Sequence, residues 1–146
     1  MKIVVQRVLN ANLKIDGKLV SSIQKGLVAF VGFGENDETP NLNWFANKLA
    51  GLRIFEDEQG KMNLNVSQID GEILVVPNFT LYANCMHGFR PSFIAALNPQ
   101  KAIVKFNEFV TVLNQMLPNK IKTGVFGADM KINQTNDGPI TIIIEN

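Results

Sequence analysis

The stretch Asn136-Asp137-Gly138-Pro139-Ile140-Thr141 puts a Gly-Pro peptide at the mouth of an apolar run, Ile140 to Ile144. Glycine has no Cβ and lets main chain come close to a ligand, while proline fixes φ and opens the cis option. Such a pair, held rigidly, is a steric gauge; on its own the same tetrapeptide is an ordinary turn before a strand. A second cluster, Pro77-Asn78-Phe79-Thr80-Leu81, follows the apolar run Ile73-Leu74-Val75-Val76. Thr80 is the hydroxyl of that cluster and sits where a buried strand ends, a place where ligands often meet main chain. A threonine there also suits a strand and a local hydrogen bond.

Cleaving an ester asks for a nucleophile or an activated water, with donors for the developing oxyanion. The sequence has one histidine, His87, one cysteine, Cys85, and no serine-containing nucleophile elbow. Cys85 and His87 alone cannot build a zinc site, so no metal and no cofactor is expected. Two residues apart on a strand they would share a face, but Tyr82 to Gly88 reads as a loop. Phe126 and Met130 lie in Gly124-Val125-Phe126-Gly127-Ala128-Asp129-Met130. A Phe and a Met four apart are commonly core, yet an aromatic beside glycines also offers a stacking face for a base. Arg7 interrupts an apolar strand. It reads either as a rim arginine paired with an acid or as a five-donor clamp for the carbonyls of an unusual turn.

Taken in order, Val5-Gln6-Arg7-Val8, Gly60-Lys61-Met62-Asn63-Leu64-Asn65-Val66, the Pro77–Leu81 cluster, Gly88-Phe89-Arg90-Pro91-Ser92-Phe93 and Asn136–Thr141 resemble the D-aminoacyl-tRNA deacylase family, also called D-tyrosyl-tRNA deacylase. The resemblance runs from Met1 to Glu145. It implies a homodimeric hydrolase that splits the ester of D-aminoacyl-tRNA, and of glycyl-tRNA mischarged on tRNA-Ala, as a chiral proofreading step. It implies that Phe79 and Thr80 supply main-chain donors, that the 2′-hydroxyl of the terminal adenosine takes part, and that Pro77, Asn78, Ala96, Phe126 and Met130 bind substrate. It further implies a cis Gly138–Pro139 peptide that enters the other subunit's pocket, leaves no room for an L side chain, and is braced there by Arg7. The usual motif is Ser-Gln-x-Thr-Leu. Here Pro77 removes a hydroxyl and an N–H, and Asn78 shortens the amide by one methylene. A proline at that place also occurs in a related deacylase of animals that prefers tRNA mischarged with L-alanine. Two alternatives follow: that L-directed specificity, or a non-catalytic dimeric module binding RNA ends.

The elements that position these residues are legible in outline. Lys2 to Val8 reads as a strand, and Ala11 to Ile15 with Leu19 to Ile23 as a hairpin about Asp16-Gly17. Leu27 to Phe33 reads as a strand covered on both faces. A helix is predicted from Thr39 as cap and Pro40 at the first position, with Leu42, Phe45, Leu49 and Leu52 on one face. Strands are expected at Leu52–Phe55 and Ile73–Leu81. A second helix begins at Asn98-Pro99, carries Ala102, Phe106, Phe109, Val110, Leu113 and Leu117, and ends at Pro118. Strands Asp129–Asn133 and Ile140–Glu145 flank the Asn136–Pro139 turn. The order β-β-β-α-β-β-α-β-β gives an α/β domain, sheet packed on sheet with two helices covering one side. The 146 residues make a single domain, residues 1–146. A net charge of +1 disfavours a protein that coats nucleic acid, so DNA is not an expected partner and any RNA contact is local. The lone cysteine and the absence of a signal peptide or a membrane-length apolar run point to the cytoplasm.

Overall fold

The computed structural model describes residues 1–37 and 41–146. Its spine is β1, Lys2–Ile15, a 14-residue strand that joins the two strands expected at Lys2–Val8 and Ala11–Ile15. The first half of β1 pairs antiparallel with β3, Gly26–Gly32, and the second half with β2, Lys18–Ile23. Along its other edge β1 pairs with β8, Lys131–Glu145, from Lys2↔Glu145 to Lys14↔Lys131. Register shifts between Gln6 and Val8 and between Val8 and Asn10 change which face the alternating side chains present. Ile3 and Val5 therefore enter the core beneath the helices, whereas Val8, Ala11 and Leu13 enter a second core with Ile23, Val28, Leu74 and Val76.

That second core exists because the sheet folds back on itself. β2 returns toward β7, Ile121–Thr123, where Ser21 Oγ donates to the Thr123 carbonyl at 2.6 Å. The two layers expected as separate sheets are thus one six-stranded sheet, ordered β2-β1-β3-β6-β7 with β8 on β1; β6 is Glu72–Pro77. β3, β6 and β7 run parallel to one another, and β3 and β6 are buried as their continuous apolar sequences require.

Two helices pack on the larger core. α1, Leu42–Gly51, buries Phe45, Ala46 and Leu49, and its cap is Asn41, whose side chain accepts from the Trp44 N–H. Thr39 and Pro40, expected as cap and first position, lie outside the described residues. α2, Pro99–Met116, is capped by Asn98 with Pro99 in its first turn, and it buries Ala102, Phe106, Phe109 and Leu113. Both match the predicted stripes, because a helix on a sheet must hide one face.

Four strand expectations change. Leu52–Phe55 contracts to β4, Phe55–Glu56, in a small ribbon with β5, Met62–Leu64. Ile73–Leu81 stops at Pro77, which cannot donate to a further ladder. Asp129–Asn133 and Ile140–Glu145 merge into β8, so the Asn136–Pro139 segment lies inside a strand and does not join two. β1 pairs with β8 on both sides of the segment, at Val8–Asn136 and Gln6–Thr141, and Asp137–Ile140 bulge out between those pairs. Among the described residues no helix is long and apolar enough to cross a membrane, and no group of three His, Cys, Asp or Glu residues is placed to hold a metal.

One carboxylate ties the strand ends together. Asp37 Oδ2 accepts from the Gly34 N–H at 2.6 Å and from the Tyr82 hydroxyl at 2.5 Å, and it pairs with the Met1 α-amino group. Burial pushes the Asp37 carboxyl up, but these donors outweigh it and hold it below the usual carboxylate range. A carboxylate depressed on folding adds stability above its unfolded value, about 3.9, and that stability fades as pH falls through the lower folded value. The urea midpoint of Asp37→Asn should therefore lie furthest below that of the unmodified chain above about pH 4 and converge with it in stronger acid. A gap independent of pH would contradict this.

Candidate active site

β6 ends against a proline, and the chain turns at once. The Asn78 N–H donates to the Val31 carbonyl at 2.7 Å, and the next four residues, Phe79–Tyr82, form a short 3₁₀ turn. Asn78 is its cap, as short polar side chains favour. Asn78 Oδ1 accepts from the Thr80 N–H at 3.2 Å and from the Thr80 hydroxyl at 2.6 Å. The hydroxyl proton is thus committed to an amide oxygen, which is no general base, so Thr80 is not an activated nucleophile. The Thr80 N–H is already engaged, and the Phe79 N–H, first of the turn, is the one that the turn itself leaves over.

The turn borders a cleft of about 320 Å³. Pro77, Asn78 and Phe79 form one side and Gly127 to Met130 the other, with Phe30 and Ile132 completing the wall. The two sides meet at Gly124. A Cβ there would stand 2.7 Å from Met130 Sδ and 3.3 Å from Pro77 Cδ, so any larger residue would push Met130 aside. The Phe79 ring is 53% exposed and meets Phe93 edge-on, with centroids 5.2 Å apart.

Pro77, Asn78, Phe79 and Met130 are therefore brought together as expected, and Thr80 adjoins them. Phe126 and Ala96 are not cleft residues. Gly127, at φ +77°, turns the chain so that Phe126 faces α2, in an apolar groove with Ile103, Phe106 and Val110. Ala96 forms an isolated bridge with Gly34, and its N–H donates to the Phe93 carbonyl at 3.0 Å. Ala96 touches the cleft's edge only through its neighbour Phe93. Cys85 is exposed in a loop pinned by reciprocal Asn84–Ser92 hydrogen bonds, as the loop reading required.

The Gly-Pro peptide forms a separate cluster. Gly138–Pro139 is cis, and Gly138 has φ +127°, a region that favours glycine. A Cβ at Gly138 would lie 2.7 Å from the Ile140 nitrogen. Arg7 is only 6% exposed. Its Nε donates to the Asp137 carbonyl at 3.3 Å and pairs with the Asp137 carboxylate at 3.0 Å, while Nη1 donates to the Ile54 carbonyl at 2.7 Å. Arg7 thus grips the residue before Gly138 in its own chain, where the β1–β8 pairing lays Asp137 beside it in the same sheet. Gly138 follows the cleft residue Ile132 by six strand residues, roughly 20 Å at ~3.3 Å each. A single chain does not close its own cleft with its own Gly138–Pro139.

Residue reading missed Asp137, Asp37 and Tyr82. Asp137 was visible beside Gly138 as the acid an interior arginine needs. Asp37 and Tyr82 are 45 residues apart and carried no local signal.

A profile of the D-Tyr-tRNA(Tyr) deacylase family matches residues 4–145. A D-aminoacyl-tRNA deacylase of Flavobacterium psychrophilum is 49% identical over 146 residues, covering 100% of this chain and 97% of that protein. One of Protochlamydia amoebophila is 48% identical over 100% of this chain and 96% of that protein. Among solved structures, a "c-Myc DNA Unwinding Element Binding Protein" superposes with TM-score 0.94 at 37% identity, covering 100% of this chain and 99% of that one. "A probable eukaryotic D-amino acid tRNA deacylase" superposes with TM-score 0.85 at 14% identity over 98% and 97%, a likeness of fold. With its cleft-side turn, its Gly138–Pro139 segment and this full-length similarity, the chain belongs to the D-Tyr-tRNA(Tyr) deacylase family.

Proposed function

We propose that this chain hydrolyses the ester between a D-amino acid and the 3′-terminal adenosine of tRNA, and that it also accepts glycine mischarged on tRNA-Ala. The observation that carries the mechanism is the Thr80 hydroxyl spent on Asn78 Oδ1 beside a cleft with no other activated nucleophile. Water attacks the ester carbonyl carbon and the Phe79 N–H donates to the developing oxyanion; as the carbonyl carbon–3′-oxygen bond breaks, the ribose 2′-hydroxyl passes its proton to the departing 3′-oxygen and the 2′-oxygen takes the proton that the attacking water gives up. The products are a free D-amino acid and tRNA. The half-buried Phe126 ring, in a groove with Gly124, which itself lies against Met130 and Pro77 of the cleft, offers the adenine a stacking face.

Selection against L substrates is assigned to Gly138–Pro139 of a second copy. Two observations support a homodimer. Gly138 and the cleft lie apart in one chain, and an apolar strip of Val4, Phe30 and the 64%-exposed Ile143 runs across the outer sheet face to the cleft. Main chain pressed against the α-carbon leaves space for one hand of side chain only. Many D side chains pass because none is read individually. An enzyme acting on tRNA works in the cytoplasm, where that substrate is found.

The neighbour named for binding a DNA unwinding element motivates a second reading, DNA binding. A net charge of +1 speaks against a strong phosphate-driven term. Duplex DNA should accordingly bind no tighter than the about 10⁻⁴ to 10⁻⁶ M typical of non-specific contacts at physiological salt.

Purified protein should release tyrosine from D-tyrosyl-tRNA and leave L-tyrosyl-tRNA intact. Equal or absent turnover of both ends this reading, and preference for L-alanyl-tRNA moves it to the L-directed alternative. Thr80→Ala should keep the rate within about tenfold, whereas losing an oxyanion donor typically costs about 100- to 1000-fold. A loss of that larger size would give the hydroxyl the step. Ala128→Phe, which fills the cleft, should abolish turnover. Gly138→Ala places a Cβ against the Ile140 nitrogen at a φ foreign to L residues, and it should cut the D-over-L ratio of kcat/KM at least about tenfold. An unchanged ratio removes Gly138 from selection.

A further inference from the structure

The turn that presents Phe79 is only four residues long, and at its ends the Leu81 N–H makes a long 3.4 Å contact with the Asn78 carbonyl and the Ala83 N–H donates to the Thr80 carbonyl at 3.0 Å. Four residues of 3₁₀ geometry do not fix their own tilt. Yet a misplacement of about 1 Å at an active site can cost about 100-fold in rate.

The turn's last residue supplies the missing anchor. The Tyr82 ring lies against the end of β3, over Gly32 and Gly34, two residues apart and so on one face. A Cβ at Gly32 would stand 2.8 Å from the Asn78 carbonyl oxygen and 3.3 Å from Tyr82 Cδ2, and one at Gly34 would stand 2.8 Å from Tyr82 Cζ. The trough is therefore cut to the ring. At its end the Tyr82 hydroxyl donates at 2.5 Å to Asp37 Oδ2, the oxygen that also accepts from the Gly34 N–H and pairs with the Met1 α-amino group. Lys2 Nζ lies 5.3 Å from the ring centroid. A charge-assisted hydrogen bond on a rigid strand end is a firm point from which to hold the turn.

We propose that Tyr82, anchored on Asp37 in the Gly32–Gly34 trough, is a positioning residue for the deacylation, fixing the turn so that the Phe79 N–H points at the oxyanion. The assignment rests on the deacylase reading above. Tyr82 touches no substrate; it acts through the turn.

Tyr82→Phe keeps the ring in its trough and removes only the anchor. With D-tyrosyl-tRNA at a temperature well below melting, it should lower kcat by about 10- to 100-fold while KM stays within about twofold. Tyr82→Phe/Asp37→Asn should be no slower than the slower of its two single variants, since both cut one linkage. The Phe79 amide NMR resonance, read without substrate, should shift in Tyr82→Phe. A wild-type kcat in Tyr82→Phe, additive losses in the double variant, or an unmoved Phe79 amide each overturns the proposal. If the unmodified chain releases no tyrosine, the deacylase reading fails instead, and the amide shift still decides whether Tyr82 sets the turn.

Discussion

The structure depends on β1 being one strand with two faces in use. Its first half hides Ile3 and Val5 under the helices, and its second half hides Ala11 and Leu13 in the fold of the sheet. The irregularities flanking Val8 make that exchange possible, because a regular strand keeps each parity on one face throughout. Without them the sheet would stay open, β2 would not reach β7, and the cleft would lack a wall. β8 follows β1 along its length and so places Ile132 at the cleft and Gly138 near the middle of the strand, between the Val8–Asn136 and Gln6–Thr141 pairs.

Around this spine, polar side chains sit where main chain leaves regular pairing. Asn41 and Asn98 cap the helices and Asn78 caps the turn, each accepting from an N–H two or three residues on. Arg7 does the same work at longer range. A guanidinium at 6% exposure needs its donors met, and the Asp137 carboxylate, the Asp137 carbonyl and the Ile54 carbonyl meet them. That arrangement fixes β8 one residue before Gly138. The Gly138–Pro139 peptide is thus held through Arg7 by the core of its own chain.

The substitutions that set this chain apart from the usual Ser-Gln-x-Thr-Leu motif have a local logic. Pro77 ends the β6 ladder, and Asn78, one methylene shorter than glutamine, folds its amide oxygen back onto both donors of Thr80. The outcome is a pre-formed turn with one main-chain donor left over, the arrangement expected where hydrolysis leans on backbone and substrate groups and not on a side-chain nucleophile.

The sequence by itself determined both helices, the buried strands β3 and β6 and the loop character of Ala83 to Gly88, since each follows from local periodicity or turn chemistry. It also singled out Pro77, Asn78, Phe79 and Met130, which the structure brings to one cleft. Tertiary structure decided the rest. Whether Asn136–Pro139 turns the chain or runs within β8 depends on β1 offering pairing on both sides of the segment. Whether Phe126 faces the cleft or the helices depends on the positive φ of Gly127. The Asp37–Tyr82 contact joins residues 45 apart, and no periodicity encodes an encounter that only the packed ends of β1, β3 and the turn create.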